Sequence, residues 1–134
     1  MDNPLPIRDM GEGALRRIAK RNGGNLPYTL SECKHLVADY GIRLHDDGGD
    51  HQLYVDSGEN AWILYNAQAS PWDQQCGIIH ELVEWILRGD FRDLLDLMYP
   101  VSYFRTGGPD PRTRRHRAAE WAEAHYLAWL KSKT

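Results

Sequence analysis

Cysteine is scarce in this chain, which has 134 residues and only two cysteines, Cys33 and Cys76. The sequence therefore contains no CxxC pair and none of the Cys/His spacings that mark zinc fingers, which excludes that class of metal site. Each cysteine falls on the apolar stripe of a predicted helix. We interpret both as buried thiols.

Long apolar runs are also missing. No stretch approaches the roughly 18 apolar residues that a membrane-spanning helix needs. The first ten residues, MDNPLPIRDM, combine acids and prolines without the apolar segment of a signal peptide. We therefore predict a cytoplasmic protein with no membrane partner.

A large excess of charge of one sign is also missing. The chain has 16 Lys and Arg against 19 Asp and Glu, which gives a net charge of −3. This balance argues against a non-specific nucleic-acid binder and makes nucleic acid an unfavoured partner. A local basic cluster surrounds the start of the last predicted helix. It consists of Arg105, Arg112, Arg114, Arg115 and Arg117. We interpret it as a solvated, ion-paired surface, with an anion-binding role as the alternative.

What the chain does contain is the composition of a folded protein, with 42% hydrophobic and 26% charged residues. Its length fits a single domain over residues 1–134, of which residues 1–28 form an N-terminal arm and helix. Apolar residues at helical spacing predict that this first helix runs from Met10 to about Lys20.

A second helix is predicted after Thr29, because Thr29 is a good N-cap and Glu32 completes a capping box three residues later. Gly41 stands where a glycine ends many helices. The pattern then changes to period two at Ile42 and Leu44. Residues 52–55 and 61–65 read as two strands that a turn at 57–60 joins into a hairpin.

The second half of the chain is predicted to be helical. Ser70-Pro71-Trp72-Asp73 starts a helix that runs to about Arg88 and stops at Gly89. A shorter helix follows over 90–98, and the last helix starts at Asp110-Pro111. The predicted order α-α-β-β-α-α-α indicates an α+β domain in which antiparallel strands pack against helices.

The residues with chemical potential lie in the segment His80-Glu81-Leu82-Val83-Glu84. His80 and Glu84 are four residues apart, so a helix presents both to a single cation. Glu81 projects beside them, where a carboxylate can hold a water molecule without binding the metal. The apolar neighbours would anchor the helix in the core. They are Ile78, Ile79, Leu82, Val83, Ile86 and Leu87.

This is the HExxH arrangement of zinc peptidases with Glu84 in place of the second histidine. Zn²⁺ accepts carboxylate oxygen as well as imidazole nitrogen, and the carboxylate shifts the preference toward Mn²⁺ or Fe²⁺ as alternatives. The competing interpretation is a solvated polar helix face. The apolar flanks of His80 argue against it, because a buried His-Glu-Glu cluster needs partners that a metal would supply.

A further ligand is expected from the last helix. Glu120 and Glu123 fall on its apolar face, where acids are costly unless they are paired. The residues leave open which of the two reaches the metal, and whether arginines pair with them instead. Those arginines are Arg112, Arg115 and Arg117. His116 and His125 are further candidates, with His125 on the far side of the helix.

The order of these segments resembles the ImmA/IrrE family of small zinc metallopeptidases. The resemblance covers roughly residues 30–130. It includes Ala38-Asp39-Tyr40-Gly41-Ile42 before the sheet, the strand Trp62-Ile63-Leu64-Tyr65-Asn66, the helix with Ile78-Ile79-His80-Glu81-Leu82, and Glu123-Ala124-His125-Tyr126-Leu127-Ala128. The chain departs from the family at Glu84, where the family has histidine.

The resemblance implies a zincin-like fold and a zinc-dependent peptidase that acts on a peptide or protein substrate. His80, Glu84 and Glu123 would bind the metal, and Glu81 would be the general base. The edge of the hairpin at Ala61–Tyr65 would align an extended peptide by strand addition. The alternative is a zincin-like binding or regulatory module with weakened or absent catalysis, as the replacement of the second histidine suggests.

Overall fold

The computed structural model describes residues 6–49, 51–55, 60–91 and 111–134. Its elements are α1 (Ile7–Arg21), α2 (Leu30–Asp39), β1 (Arg43–Asp46), β2 (Gln52–Val55), β3 (Ala61–Tyr65), α3 (Pro71–Phe91) and α4 (Pro111–Ser132). The fold class is α+β, as the alternation of helical and period-two patterns predicts. No helix in the described part of the chain combines the length and the apolar composition that a membrane span requires.

Helix α2 begins and ends as its sequence predicts. The Thr29 hydroxyl accepts a hydrogen bond from the backbone N–H of Glu32 at 3.1 Å. The Glu32 carboxylate in turn accepts from the backbone N–H of Tyr28 at 3.2 Å, which satisfies a second N–H at the helix start. Gly41 has a φ angle of 75°, the left-handed conformation that glycine adopts without strain just beyond a helix.

The sheet is mixed, which corrects the prediction of antiparallel strands alone. β2 and β3 form the predicted antiparallel pair, with Leu53 opposite Ile63. β1 is an additional strand that pairs in parallel with β3, where Arg43 lies opposite Trp62. The strand order is β1-β3-β2, so β3 is central. Both sides of β3 are therefore paired with other strands, and the prediction that Ala61–Tyr65 offers a free edge to a peptide is wrong.

Helix α3 starts at the predicted cap and ends later than predicted. The Ser70 hydroxyl accepts from the backbone N–H of Asp73 at 3.2 Å. The helix passes through Gly89 and continues to Phe91. Gly89 lacks the positive φ of Gly41, so it extends the helix at a cost of about 1 kcal/mol instead of ending it. The sequence predicts a shorter helix over 90–98, but Asp90, its predicted cap, lies within α3, and residues 92–98 lie outside the described ranges.

The core lies where α3 and α4 pack against each other and against α1. Four residues of α3 are fully buried: Ile78, Ile79, Leu82 and Val83. Helix α4 faces them with three buried alanines, Ala118, Ala119 and Ala122. Small side chains let helix backbones approach closely, so the polar groups of α4 come within reach of those on α3.

A buried tyrosine fixes α4 against the rest of the domain. The Tyr126 hydroxyl donates to the carbonyl oxygen of Pro27 at 2.6 Å and accepts from the side-chain amide of Gln75 at 3.1 Å. The Cys33 thiol lies 3.5 Å from the same oxygen. Burial raises the pKa of Tyr126, which keeps the phenol neutral. Cys33 and Cys76 are both buried and free, as predicted.

Candidate metal centre

Helix α3 places three polar residues among buried apolar side chains. His80 is 8% exposed and Glu81 is 5% exposed. Glu84 lies one helical turn after His80, and its carboxylate oxygen is 3.2 Å from Nε2 of that imidazole. The predicted shared face of His80 and Glu84 is therefore present. The buried aliphatic residues on both sides hold this face in a fixed position.

Helix α4 runs antiparallel to α3 here, because His116 lies beside Glu84 and Glu123 lies beside His80. Nδ1 of His116 is 3.3 Å from Nε2 of His80 and 3.6 Å from a carboxylate oxygen of Glu84. One donor atom each from His80, Glu84 and His116 lies within 4.8 Å of the others. These three residues form a group that could hold a metal ion.

Glu123 occupies the opposite side of the His80 ring. Its carboxylate oxygen lies 2.8 Å from Nδ1, the nitrogen that faces away from Glu84 and His116. Its role as a metal ligand stays a prediction. Glu120 is exposed and lies 2.7 Å from Nε2 of His116, which again is the nitrogen that points away from the group. His125 is exposed and stacks on Trp121 with ring centroids 5.0 Å apart.

Glu81 stands beside the group without entering it. Its nearest carboxylate oxygen is 4.0 Å from Nε2 of His80. Leu53 in β2 lines the same cleft as Glu81, and its backbone acts to lower the pKa of that carboxyl group against the larger effect of burial. The side chain that the sequence predicts to be the general base therefore lies beside strand β2.

The pKa values of His80, Glu81 and Glu84 reflect the negative charge of the carboxylates around His80. Burial disfavours the charged form of His80, but hydrogen bonds to Glu123 and Glu84 outweigh burial and raise its pKa to about 10. Burial and the neighbouring charge of Glu84 raise the pKa of Glu81. Burial acts against the Glu84 carboxylate as well, but its hydrogen bond to His80 lowers its pKa overall.

This charge pattern fits a cation. Glu81, Glu84 and Glu123 all lie within 4.0 Å of a ring nitrogen of His80. Two imidazole nitrogens and one carboxylate are a usual donor set for zinc in proteins, and a divalent ion would compensate the acids. The residues present therefore fit a bound metal.

Two clefts flank Glu81, and both include His51. The first, about 280 Å³, is called the Arg88 cleft here and is lined by His51, Gln52, Leu53, Glu81, Glu84, Arg88 and Arg115. The second, about 400 Å³, is called the Asp73 cleft and is lined by His51, Asp73, Cys76, Gly77, His80, Glu81, His116, Glu123 and Leu127. The candidate centre therefore lies between two openings.

His51 is a residue at this site that the sequence does not predict. Its ring covers Gly77, where an added Cβ would overlap the imidazole. A glycine inside a buried helix often marks the close approach of another group, so Gly77 is the one signal in the sequence from which such a neighbour could have been inferred. The sequence could not identify that neighbour, because His51 precedes a strand and belongs to no recognisable motif.

No protein-family model matches the chain, and no curated protein or solved structure has significant similarity to it.

Proposed function

We propose that this protein is a metal-dependent peptidase with a zincin-like site, in which His80, Glu84 and His116 bind zinc and Glu81 is the general base. The observation that carries the proposal is the convergence of three donor atoms within 4.8 Å, with a buried carboxyl group beside them. The resemblance to the ImmA/IrrE family supports the same activity from the sequence.

The residues of the chain have separate roles in this proposal. A bound zinc ion would supply a Lewis acid that polarises a peptide carbonyl and makes a water molecule more acidic. Glu81 accepts the proton of the attacking water and passes it to the leaving amine. The substrate lies between β2 and α3, where the Arg88 cleft opens.

Glu123 is a positioning residue in this proposal. With its oxygen 2.8 Å from Nδ1, it fixes the tautomer and the ring orientation of His80, which leaves Nε2 to face Glu84 and His116. The alternative, in which Glu123 rather than His116 is the third ligand, requires His80 to bind the metal through Nδ1. Variants of these two residues distinguish the alternatives.

Metal content is the first test. We expect about one equivalent of zinc, or of Mn²⁺ or Fe²⁺, in protein purified without chelator or added metal. His116→Ala should lose the metal, and Glu123→Gln should keep most of it. The reverse result would assign the third position to Glu123. A parent protein with less than about a tenth of an equivalent would contradict both alternatives.

Peptide cleavage is the second test. We expect the zinc-loaded parent protein to cleave members of a mixed peptide library and Glu81→Gln to be slower by about 10² to 10⁴-fold, the usual contribution of a general base. Glu12→Gln on α1 is the matched control, because the side chain of Glu12 is 42% exposed and lies in a surface ion pair with Arg16. Equal cleavage by the parent and Glu81→Gln would contradict the assigned base.

A second candidate function is a zincin-like binding or regulatory module without catalysis. The specific observation in its favour is Glu84, which stands where the HExxH peptidases have their second histidine. Metal at one equivalent together with no cleavage of any library peptide would favour this candidate over the peptidase.

A further inference from the structure

The interface between α3 and α4 contains two separate groups of polar contacts. One is the candidate metal centre, where Nδ1 of His116 lies 3.6 Å from a carboxylate oxygen of Glu84. The other joins Tyr126 on α4 to Gln75 on α3, whose side-chain amide donates to the Tyr126 hydroxyl at 3.1 Å. Three buried alanines of α4 lie between the two groups along the chain: Ala118, Ala119 and Ala122. Their small side chains allow several positions of α4 along α3, so the polar contacts must choose one.

The contacts of Tyr126 are fully buried and come from three parts of the fold. Tyr126 is 0% exposed and Gln75 is 2% exposed. The Tyr126 hydroxyl donates to the carbonyl oxygen of Pro27 at 2.6 Å, and the Gln75 amide also donates to the carbonyl oxygen of Tyr28 at 3.1 Å. Buried polar groups are costly when they lose a partner, so this network stabilises one relative position of the loop before α2, α3 and α4.

A displacement of α4 by one helical turn would break the network in either direction. The residues one turn away from Tyr126 are Ala122 and Leu130, and both are buried and apolar. Neither side chain can accept from the Gln75 amide or donate to the Pro27 carbonyl, which would then be buried without that partner. The displaced positions are therefore disfavoured although the alanines would permit them.

The same displacement would change the metal centre. From Gln75 to Glu84 is nine residues on α3, about 14 Å, and from Tyr126 to His116 is ten residues on α4, about 15 Å. The two helices therefore cover nearly equal lengths between the hydrogen bond and the centre. If α4 moved by one turn in one direction, Glu120 would replace His116 beside Glu84, and an acid would stand in the place of an imidazole.

We propose that Tyr126 is a positioning residue for the metal centre. Its hydrogen bonds to Pro27 and Gln75 set the position of α4 along α3 and thereby select His116 as the third ligand. The inference rests on the metal centre of the proposed function and adds to it the contact that assembles the ligands.

Zinc affinity tests the role of the hydroxyl. While the protein stays folded, a lower stability alone leaves the affinity of the folded state unchanged, whereas a displaced α4 weakens it. We expect Tyr126→Phe to weaken zinc binding at least tenfold, as the loss of a group that orients a ligand does. Competition with a chromophoric chelator measures it. Ile63→Val is the matched control, because it removes one buried methyl group from β3, outside the α3–α4 interface, and should keep the parent affinity.

Cobalt in place of zinc reports the geometry of the ligands through its visible absorption. The parent protein should give the spectrum of a tetrahedral ion, and Ile63→Val should give the same spectrum. Tyr126→Phe should give a weaker or shifted band, because the ligand from α4 is no longer held in place. A purely structural role of the hydroxyl would leave the spectrum of the folded variant unchanged.

A double-mutant cycle tests whether Tyr126 acts through His116. The two residues are about 15 Å apart along α4, so their effects on zinc affinity should multiply if they are independent. If Tyr126 holds His116 in place, His116→Ala should weaken zinc binding less in the Tyr126→Phe background than in the parent protein. The same chelator competition measures all four proteins.

The outcomes separate this inference from the proposed function. Parent-like zinc affinity and cobalt spectrum in Tyr126→Phe, or effects that multiply in the cycle, would overturn the positioning role and leave the metal centre. An equal loss of affinity in Ile63→Val would also overturn the positioning role, because destabilisation alone would then explain the loss. A parent protein that binds no zinc would overturn the metal centre and, with it, the role of Tyr126.

Discussion

The two helices that form the candidate centre present their polar groups in different ways. On α3, the side chains of His80 and Glu81 are 10% and 7% exposed. On α4, those of His116 and Glu123 are 52% and 40% exposed. Helix α3 is therefore the rigid half of the site, set in aliphatic side chains, and α4 is the half that faces solvent. Metal binding should depend on both halves, whereas fold stability should depend mainly on the first.

The largest expected effect is the loss of bound metal when a ligand on α3, the rigid half of the site, is removed. His80 contacts every other member of the cluster, so His80→Ala should abolish the retention of metal. His35→Ala on the exposed side of α2 is the control and should retain about one equivalent. Elemental analysis of both purified variants measures the difference. Full metal content in His80→Ala would show that any ion binds elsewhere.

The next effect concerns the support of α3. Leu82 is fully buried one residue after Glu81, and Leu82→Ala should lower the free energy of unfolding by about 2–5 kcal/mol. Leu127→Ala, on the partly exposed side of α4, should cost less. Urea unfolding of the metal-free proteins measures both. An equal loss for the two variants would contradict the division into a rigid and an exposed half.

A smaller effect is expected for the residue that orients His80 from α4. Glu123→Gln should weaken zinc affinity by about 10 to 100-fold, as the loss of a carboxylate that orients a ligand does. Glu120→Gln, whose parent carboxylate contacts the outer nitrogen of His116, should weaken it less. Competition with a chromophoric chelator gives both affinities. A greater loss in Glu120→Gln would reverse the roles of the two acids.

The smallest effect concerns the anchoring of α4. Tyr126→Phe removes the hydroxyl that joins Pro27 to Gln75 and should lower the free energy of unfolding by about 1–2 kcal/mol. Tyr28→Phe is the control, since Tyr28 is 43% exposed. Thermal unfolding of both variants is the measurement. No destabilisation in Tyr126→Phe would mean that packing alone holds α4 in place.

The sequence predicts the α3 half of this site better than the α4 half, for a physical reason. His80 and Glu84 belong to one helix, so their spacing alone places them together. Which α4 residue meets them depends on how α4 slides along α3. The alanines at 118, 119 and 122 suit several such positions, so local pattern does not choose between His116, Glu120 and Glu123.

The same distinction applies to the fold. The caps at Thr29 and Ser70 and the hairpin of β2 and β3 follow from neighbouring residues, and the structure confirms them. The parallel pairing of β1 with β3 joins residues that are about twenty positions apart, so no turn motif in the sequence indicates it. The predicted end of α3 at Gly89 is wrong, because a single glycine costs a helix only about 1 kcal/mol and does not by itself end it.

The central claim is that two imidazoles and one carboxylate from two helices bind a single metal ion. Anomalous diffraction at the zinc edge from crystals of the zinc-loaded protein tests it most directly. We predict one peak at about 2.0–2.2 Å from Nε2 of His80, a carboxylate oxygen of Glu84 and Nδ1 of His116. A peak only at a surface pair such as His116 with Glu120, or none while His80 stays paired with Glu84 and Glu123, would contradict the claim.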